Sequence, residues 1–142
     1  MDKKLVIALC ILVVVAVAGG MLVAMPGPIG NGSAPFASEN VKVSLPHPGG
    51  TVLKEFTVSG YARGTWFFEA SFPVEVHDAN GNVVGTGIAQ ARGNWMTEDF
   101  VPFEAPVVIE NYFGFATLVL KKDNPSGLPE HDDSVSFSII VQ

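Results

Sequence analysis

Cysteine is nearly missing: of 142 residues only Cys10 is one. No intramolecular disulfide can form, so packing alone must hold the fold, which an exported domain of roughly 110 residues permits. Basic residues are scarce as well. Beyond Pro26, six Lys and Arg face thirteen Asp and Glu, a net charge of about −7. Phosphate backbones and anionic lipid headgroups repel such a surface, which argues against nucleic acid as a partner.

Catalytic patterns are missing too. His47, His77 and His131 are scattered with no H-x-x-x-H spacing, and no G-x-S-x-G nucleophile elbow occurs. Gly85-Thr86-Gly87 lacks the third glycine and the following helix of a phosphate loop. Cys10 lies in an apolar run and cannot attack a substrate outside the membrane. No enzyme and no cofactor are expected.

The long apolar stretch is at the start. After Met1-Asp2-Lys3-Lys4, Leu5 to Met25 is an uncharged run of 21 residues that ends against Pro26. As a helix it spans about 31 Å, close to the roughly 30 Å hydrocarbon layer. Lys3 and Lys4 favour an inside N-terminus, with everything beyond Pro26 outside. Residues 1–25 are thus expected to form a single-pass transmembrane helix in the cytoplasmic membrane. The alternative is a signal segment cleaved after Ala18, at Ala16-Val17-Ala18, which would release a secreted domain. Residues 26–40, rich in Gly, Pro, Ser and Asn, read as a linker, and residues 41–142 as one domain.

Within that domain the alternation has a period of two. Phe68, Ala70, Phe72, Val74 and Val76 are expected on one face of a strand, with Glu69, Ser71, Pro73, Glu75 and His77 on the other. Asp78-Ala79-Asn80-Gly81-Asn82 then supplies a tight turn, and the chain returns over 82–91. Gly85 and Gly87 in that arm suggest a bulge, an edge or a close backbone approach. Further strands are expected over Val41–Leu45, Phe56–Ala62, Val101–Ile109, Phe115–Lys122 and 134–141. Pro102 and Pro106 place the Val101–Ile109 strand at an edge or interrupt it. Three consecutive aromatics, Trp66, Phe67 and Phe68, cannot all point inward from one strand. About seven strands without helical periodicity predict an all-β fold, an antiparallel β-sandwich of immunoglobulin-like size.

Several segments resemble the immunoglobulin-like domain family of bacterial spore germination. They are Val58-Ser59-Gly60-Tyr61-Ala62-Arg63, Thr65-Trp66-Phe67-Phe68-Glu69-Ala70-Ser71-Phe72-Pro73-Val74 and Asp78-Ala79-Asn80-Gly81. Gln90-Ala91-Arg92-Gly93-Asn94-Trp95-Met96, Phe100-Val101-Pro102-Phe103 and Lys122-Asp123-Asn124-Pro125-Ser126-Gly127 follow in order. The resemblance covers about 41–141. It implies an immunoglobulin-like sandwich of envelope and germination-associated proteins, without catalytic residues. The chain departs from the family's best-known arrangement in carrying no companion germination domain.

Each candidate site has a competing structural role. Glu69 and Glu75, six residues apart on one expected strand, would stand near 20 Å apart, too far for paired-carboxylate glycoside chemistry. The turn at Asp78 begins like a calcium loop, but Val83 and Ala89 occupy the positions that need Gly and Glu. Asp123, Glu130, Asp132 and Asp133 offer oxygen ligands for a weak metal site. The aromatics either fill the core or leave a patch of Trp66, Phe67, Trp95 and Met96 rimmed by Arg63 and Arg92, the composition of an interaction hot spot. The expected function is a membrane-anchored, non-catalytic module that contacts an envelope protein or a cell-wall polymer. The alternative is a saccharide- or metal-binding module using the loops 92–99 and 123–133.

Overall fold

The structure, a computed structural model, describes residues 33–142; the apolar run at Leu5–Met25 lies outside them. Among the described residues no helix is long and apolar enough to cross a membrane. The described residues form nine strands: β1 (Phe36–Ala37), β2 (Val41–Leu45), β3 (Thr51–Val52), β4 (Glu55–Arg63), β5 (Ser71–His77), β6 (Val83–Ala91), β7 (Phe100–Ile109), β8 (Gly114–Lys121) and β9 (Ser134–Val141). They join in one ladder of order β1-β2-β4-β7-β6-β5-β8-β9-β3, antiparallel except for β3 beside β9. The ladder curls until its ends approach: the rings of Phe36 in β1 and Phe137 in β9 stack 5.2 Å apart. The inner faces enclose Val41, Val43, Val58, Phe72, Val74, Val76, Phe103, Val107, Leu118, Leu120 and Ile139 as one core. This is the immunoglobulin-like sandwich expected of the alternation.

Two strands exceed the expected seven. β1 and β3 are two residues long, too short to show a period, and β1 lies inside the segment read as linker. The expectation for Val101–Ile109 also needs correction. β7 is no edge; it runs unbroken between β4 and β6, keeping nine consecutive pairs with β4. Its prolines face β6 instead. Pro102 O accepts from Arg92 N–H at 2.8 Å, and the β6 ladder skips from Gly87–Val107 to Gln90–Glu104, past Pro106. Glycine at position 87 is what allows β6 so close, because a Cβ there would stand 2.4 Å from Pro106 O.

The expected strand from Phe68 is shorter than the alternation suggests. Glu69 and Ala70 adopt left-handed φ of 50° and 64°. Phe68 and Ser71 exchange hydrogen bonds across them at 3.0 and 3.1 Å, a two-residue turn. β5 therefore starts at Ser71, and Phe68, placed in the core row from sequence, is exposed. The Asp78–Asn82 turn forms as expected. Gly81 has φ 81°, and Asp78 Oδ1 accepts from the N–H groups of Asn80 and Asn82, each at 2.9 Å.

The pairing directions sort the connections into two ends. The β4–β5, β6–β7 and β8–β9 connections share one end, here the Trp95 end. The β2–β3, β3–β4, β5–β6 and β7–β8 connections share the other, the Phe113 end.

Candidate contact surface at the Trp95 end

The three consecutive aromatics separate by geometry. After β4 the chain makes a 3-10 turn over Gly64–Trp66, which drives Trp66 inward, and Phe67 follows as the chain straightens. Trp66 is 1% exposed and Phe67 4%. Both meet Phe72 edge-on, with centroids at 5.9 and 5.1 Å, and Phe72 in turn meets Phe103 at 5.0 Å. These four rings cap the core. Trp66 and Phe67 therefore leave the expected interaction patch: filling the sandwich end buries more apolar surface than exposure to a partner would.

Four members of the expected patch remain at the surface. Met96 is 76% exposed, Trp95 is half-buried, and Arg92 is exposed. Trp95, Met96, Thr97 and Glu98 line an open depression of about 380 Å³ floored by Gly64, Thr65 and Phe67. The loop is held down by Gly64 N–H on Asp99 O at 3.0 Å and by Met96 N–H on Asn94 Oδ1 at 3.1 Å. Arg92 Nη2 donates to Glu104 Oε2 at 2.7 Å, which neutralises it in place. Arg63, half-buried, stacks its guanidinium carbon 4.0 Å from the centroid of Phe100.

The strand register adds residues that the sequence reading missed. Lys42 pairs with Tyr61, Tyr61 with Pro102, and Arg63 with Phe100, all on the outer face of β2, β4 and β7. Lys42 Nζ stands 4.4 Å from the same Phe100 centroid that Arg63 covers, and Tyr61 is exposed. Two cations thus share one ring, an arrangement worth about 0.5–1 kcal/mol each at an exposed site. Two of the domain's six basic residues gather on this ring.

The expected acidic ligands do not converge. Asp132 Oδ1 accepts from Asn124 Nδ2 at 2.7 Å, Asp133 Oδ1 from Ser134 N–H at 2.9 Å, and Asp123 N–H donates to Trp66 O at 3.0 Å. Among the described residues no three His, Cys, Asp or Glu side chains stand together as a metal site would need. Asp123, Glu130, Asp132 and Asp133 therefore do not form the expected metal site, and Asp132 and Asp133 hydrogen-bond within their own loop and its junction with β9. On the outer face of β5 and β8 Glu75 lies 2.7 Å from His77 Nε2 and 3.5 Å from Lys121 Nζ. The hydrogen bond from His77, with help from Lys121, holds the Glu75 carboxyl below the usual glutamate range. Backbone and side-chain donors of Asn82, with Asn80 N–H, do the same for Asp78.

The family model for the immunoglobulin-like domain of bacterial spore germination matches residues 40–127. The chain belongs to this family. The match begins one residue before β2 and takes in most of the Trp95 end, from the Arg63 turn through the Arg92–Asp99 loop to the first half of the β8–β9 connection. No curated protein and no solved structure matches the chain.

Proposed function

We propose that this immunoglobulin-like germination-family domain is a non-catalytic contact module of the bacterial envelope, held outside the cytoplasmic membrane by the Leu5–Met25 run. It grips another envelope protein with the Trp95 end. The observation that carries this reading is the shared ring at Phe100. Lys42 and Arg63 converge on it beside exposed Tyr61, in a domain otherwise dominated by acids, and Met96 stands exposed at the same end. Exposed arginine and aromatic side chains on a rigid sheet are what protein hot spots are made of. Tethering concentrates the module along the membrane, so weak contacts suffice.

A photo-crosslinking residue at Met96 in the full chain, expressed in its own envelope, tests the reading. A discrete protein adduct that disappears on Tyr61→Ala or Arg63→Glu supports it. Adducts unchanged by both substitutions overturn it. If only wall polymer is captured, the open depression beside Trp95 is instead a saccharide site, since a half-buried indole offers a sugar a stacking face.

A further inference from the structure

At the Phe113 end the domain exposes apolar side chains that its fold does not use. Phe113 is 65% exposed, Phe115 75% and Leu53 66%. The register joins them: Phe115 pairs with Ile140 and Ile140 with Thr51, two residues before Leu53, while Lys54 Nζ sits 4.0 Å from the Phe113 centroid. Two phenylalanines, a leucine and the half-buried Ile140 thus form one rim, with a lysine among them. Glu55 and Glu110 lie close by in sequence, so the rim is apolar rather than cationic.

The path of the chain shows where its N-terminal segment joins the domain. β1 runs antiparallel to β2, so residues before Phe36 head toward the β2–β3 connection. A Cβ on Gly49 would lie 3.8 Å from Ser33 Oγ, and Gly49 N–H bonds Ser138 O, two residues before Ile140. Ser33 therefore leaves the domain beside the rim. Met25, the last residue of the apolar run, is eight peptide steps away, at most about 28 Å fully extended. The tether that leads to the apolar run therefore attaches on this side of the domain.

We propose that the rim of Leu53, Phe113, Phe115 and Ile140 seats in the headgroup layer of the membrane, so that the domain stands on the bilayer with its Trp95 end outward. This rests on the reading of Leu5–Met25 as an uncleaved anchor. Phenylalanine and leucine partition to the headgroup–acyl boundary by apolar burial, and Lys54 snorkels to the phosphates. Because apolar burial drives the seating, it persists at high salt and on zwitterionic lipid.

The full chain in phosphatidylcholine vesicles carrying a brominated acyl chain tests this. Phe115→Trp and Met96→Trp place an added indole at exposed positions at the two ends, leaving the core untouched. Co-flotation of the chain with the vesicles reports the anchor separately. The expected result is flotation with several-fold stronger bromine quenching at position 115 than at 96, unchanged in high salt. Flotation with equal quenching at the two positions overturns the seating and leaves the anchor standing. Failure to float overturns both. Shielding of position 115 that grows with protein density and is insensitive to bromine assigns the rim to a second copy and overturns the lipid assignment.

Discussion

Gly64→Ala tests whether the Arg92–Asp99 loop is part of the folded body or merely rests on it. Glycine is required there by proximity. A Cβ at position 64 would stand 1.9 Å from Thr97 O and 2.3 Å from Trp95 O, where real Cβ contacts essentially never fall below 3.0 Å. Thr97 O must retreat by at least the interval from 1.9 to 3.0 Å, and Trp95 O by the interval from 2.3 to 3.0 Å. Neither is a flexible side-chain tip; both are carbonyls of a loop tied at Asp99 O by Gly64 N–H itself. Overpacking costs about 1–3 kcal/mol, and loss of the Gly64–Asp99 bond adds about 1 kcal/mol. The sum, about 2–4 kcal/mol, corresponds to a fall in Tm of about 8–15 °C for a domain of this size. Guanidinium unfolding supplies the energy, and tryptophan emission, shifted to the red as the half-buried Trp95 indole becomes exposed, reports the loop. A loss below about 0.5 kcal/mol, the range of an ordinary surface change, with unaltered emission would refute the reasoning. The loop would then be free to move away, and the depression beside Trp95 would have no fixed shape.

Three further outcomes are expected. Trp66→Ala lowers unfolding free energy by about 3–5 kcal/mol, whereas Met96→Ser changes it by less than about 0.5 kcal/mol; equal effects in denaturant titration would contradict the division between core and surface. Glu75→Gln flattens the acid limb of the stability profile. The folded carboxyl titrates below its ordinary value of 4.5, so its contribution is fully present above that value and is lost as pH falls through the lower folded one. Being a surface cluster, it contributes about 1 kcal/mol or less, and thermal melts between neutral pH and pH 3 read the difference between variants. Ala70→Gly removes a left-handed strain and raises unfolding free energy by about 0.5–1 kcal/mol in chemical denaturation; a decrease would mean that the Glu69–Ala70 turn is not strained.

What could be read from residues alone was whatever repeats locally. Val101 to Ile109 and Val135 to Val141 alternate cleanly because one side of each strand is dry, and Asn80-Gly81 advertises its turn. The Glu69–Ala70 turn gives no such sign. Neither residue favours positive φ, and Phe68, Ala70 and Phe72 continue the alternation straight through it, so the tertiary demand to bury Trp66 and Phe67 overrides the local pattern. The contact surface was half visible. Arg63, Arg92, Trp95 and Met96 stand out by type, but Lys42, Tyr61 and Phe100 join them only through the β2–β4 and β4–β7 pairings, which unite residues far apart in the chain. The Phe113 rim did leave a trace: Phe115 shares its parity with Lys121, so one of the two had to sit against type.

β9 places the last eight strand residues between β8 and β3, and contributes Phe137, Ile139 and Val141 to the interior. The family match ends at residue 127, before that strand begins. A fragment trimmed to the matched span would strip β8 of one partner along its whole length and open Leu118 and Leu120 to water. It would present a bare hydrophobic border to its neighbours in solution, and such borders aggregate. Similarity and closure thus have different limits here: the stretch that matches the family is shorter than the stretch that completes the sheet.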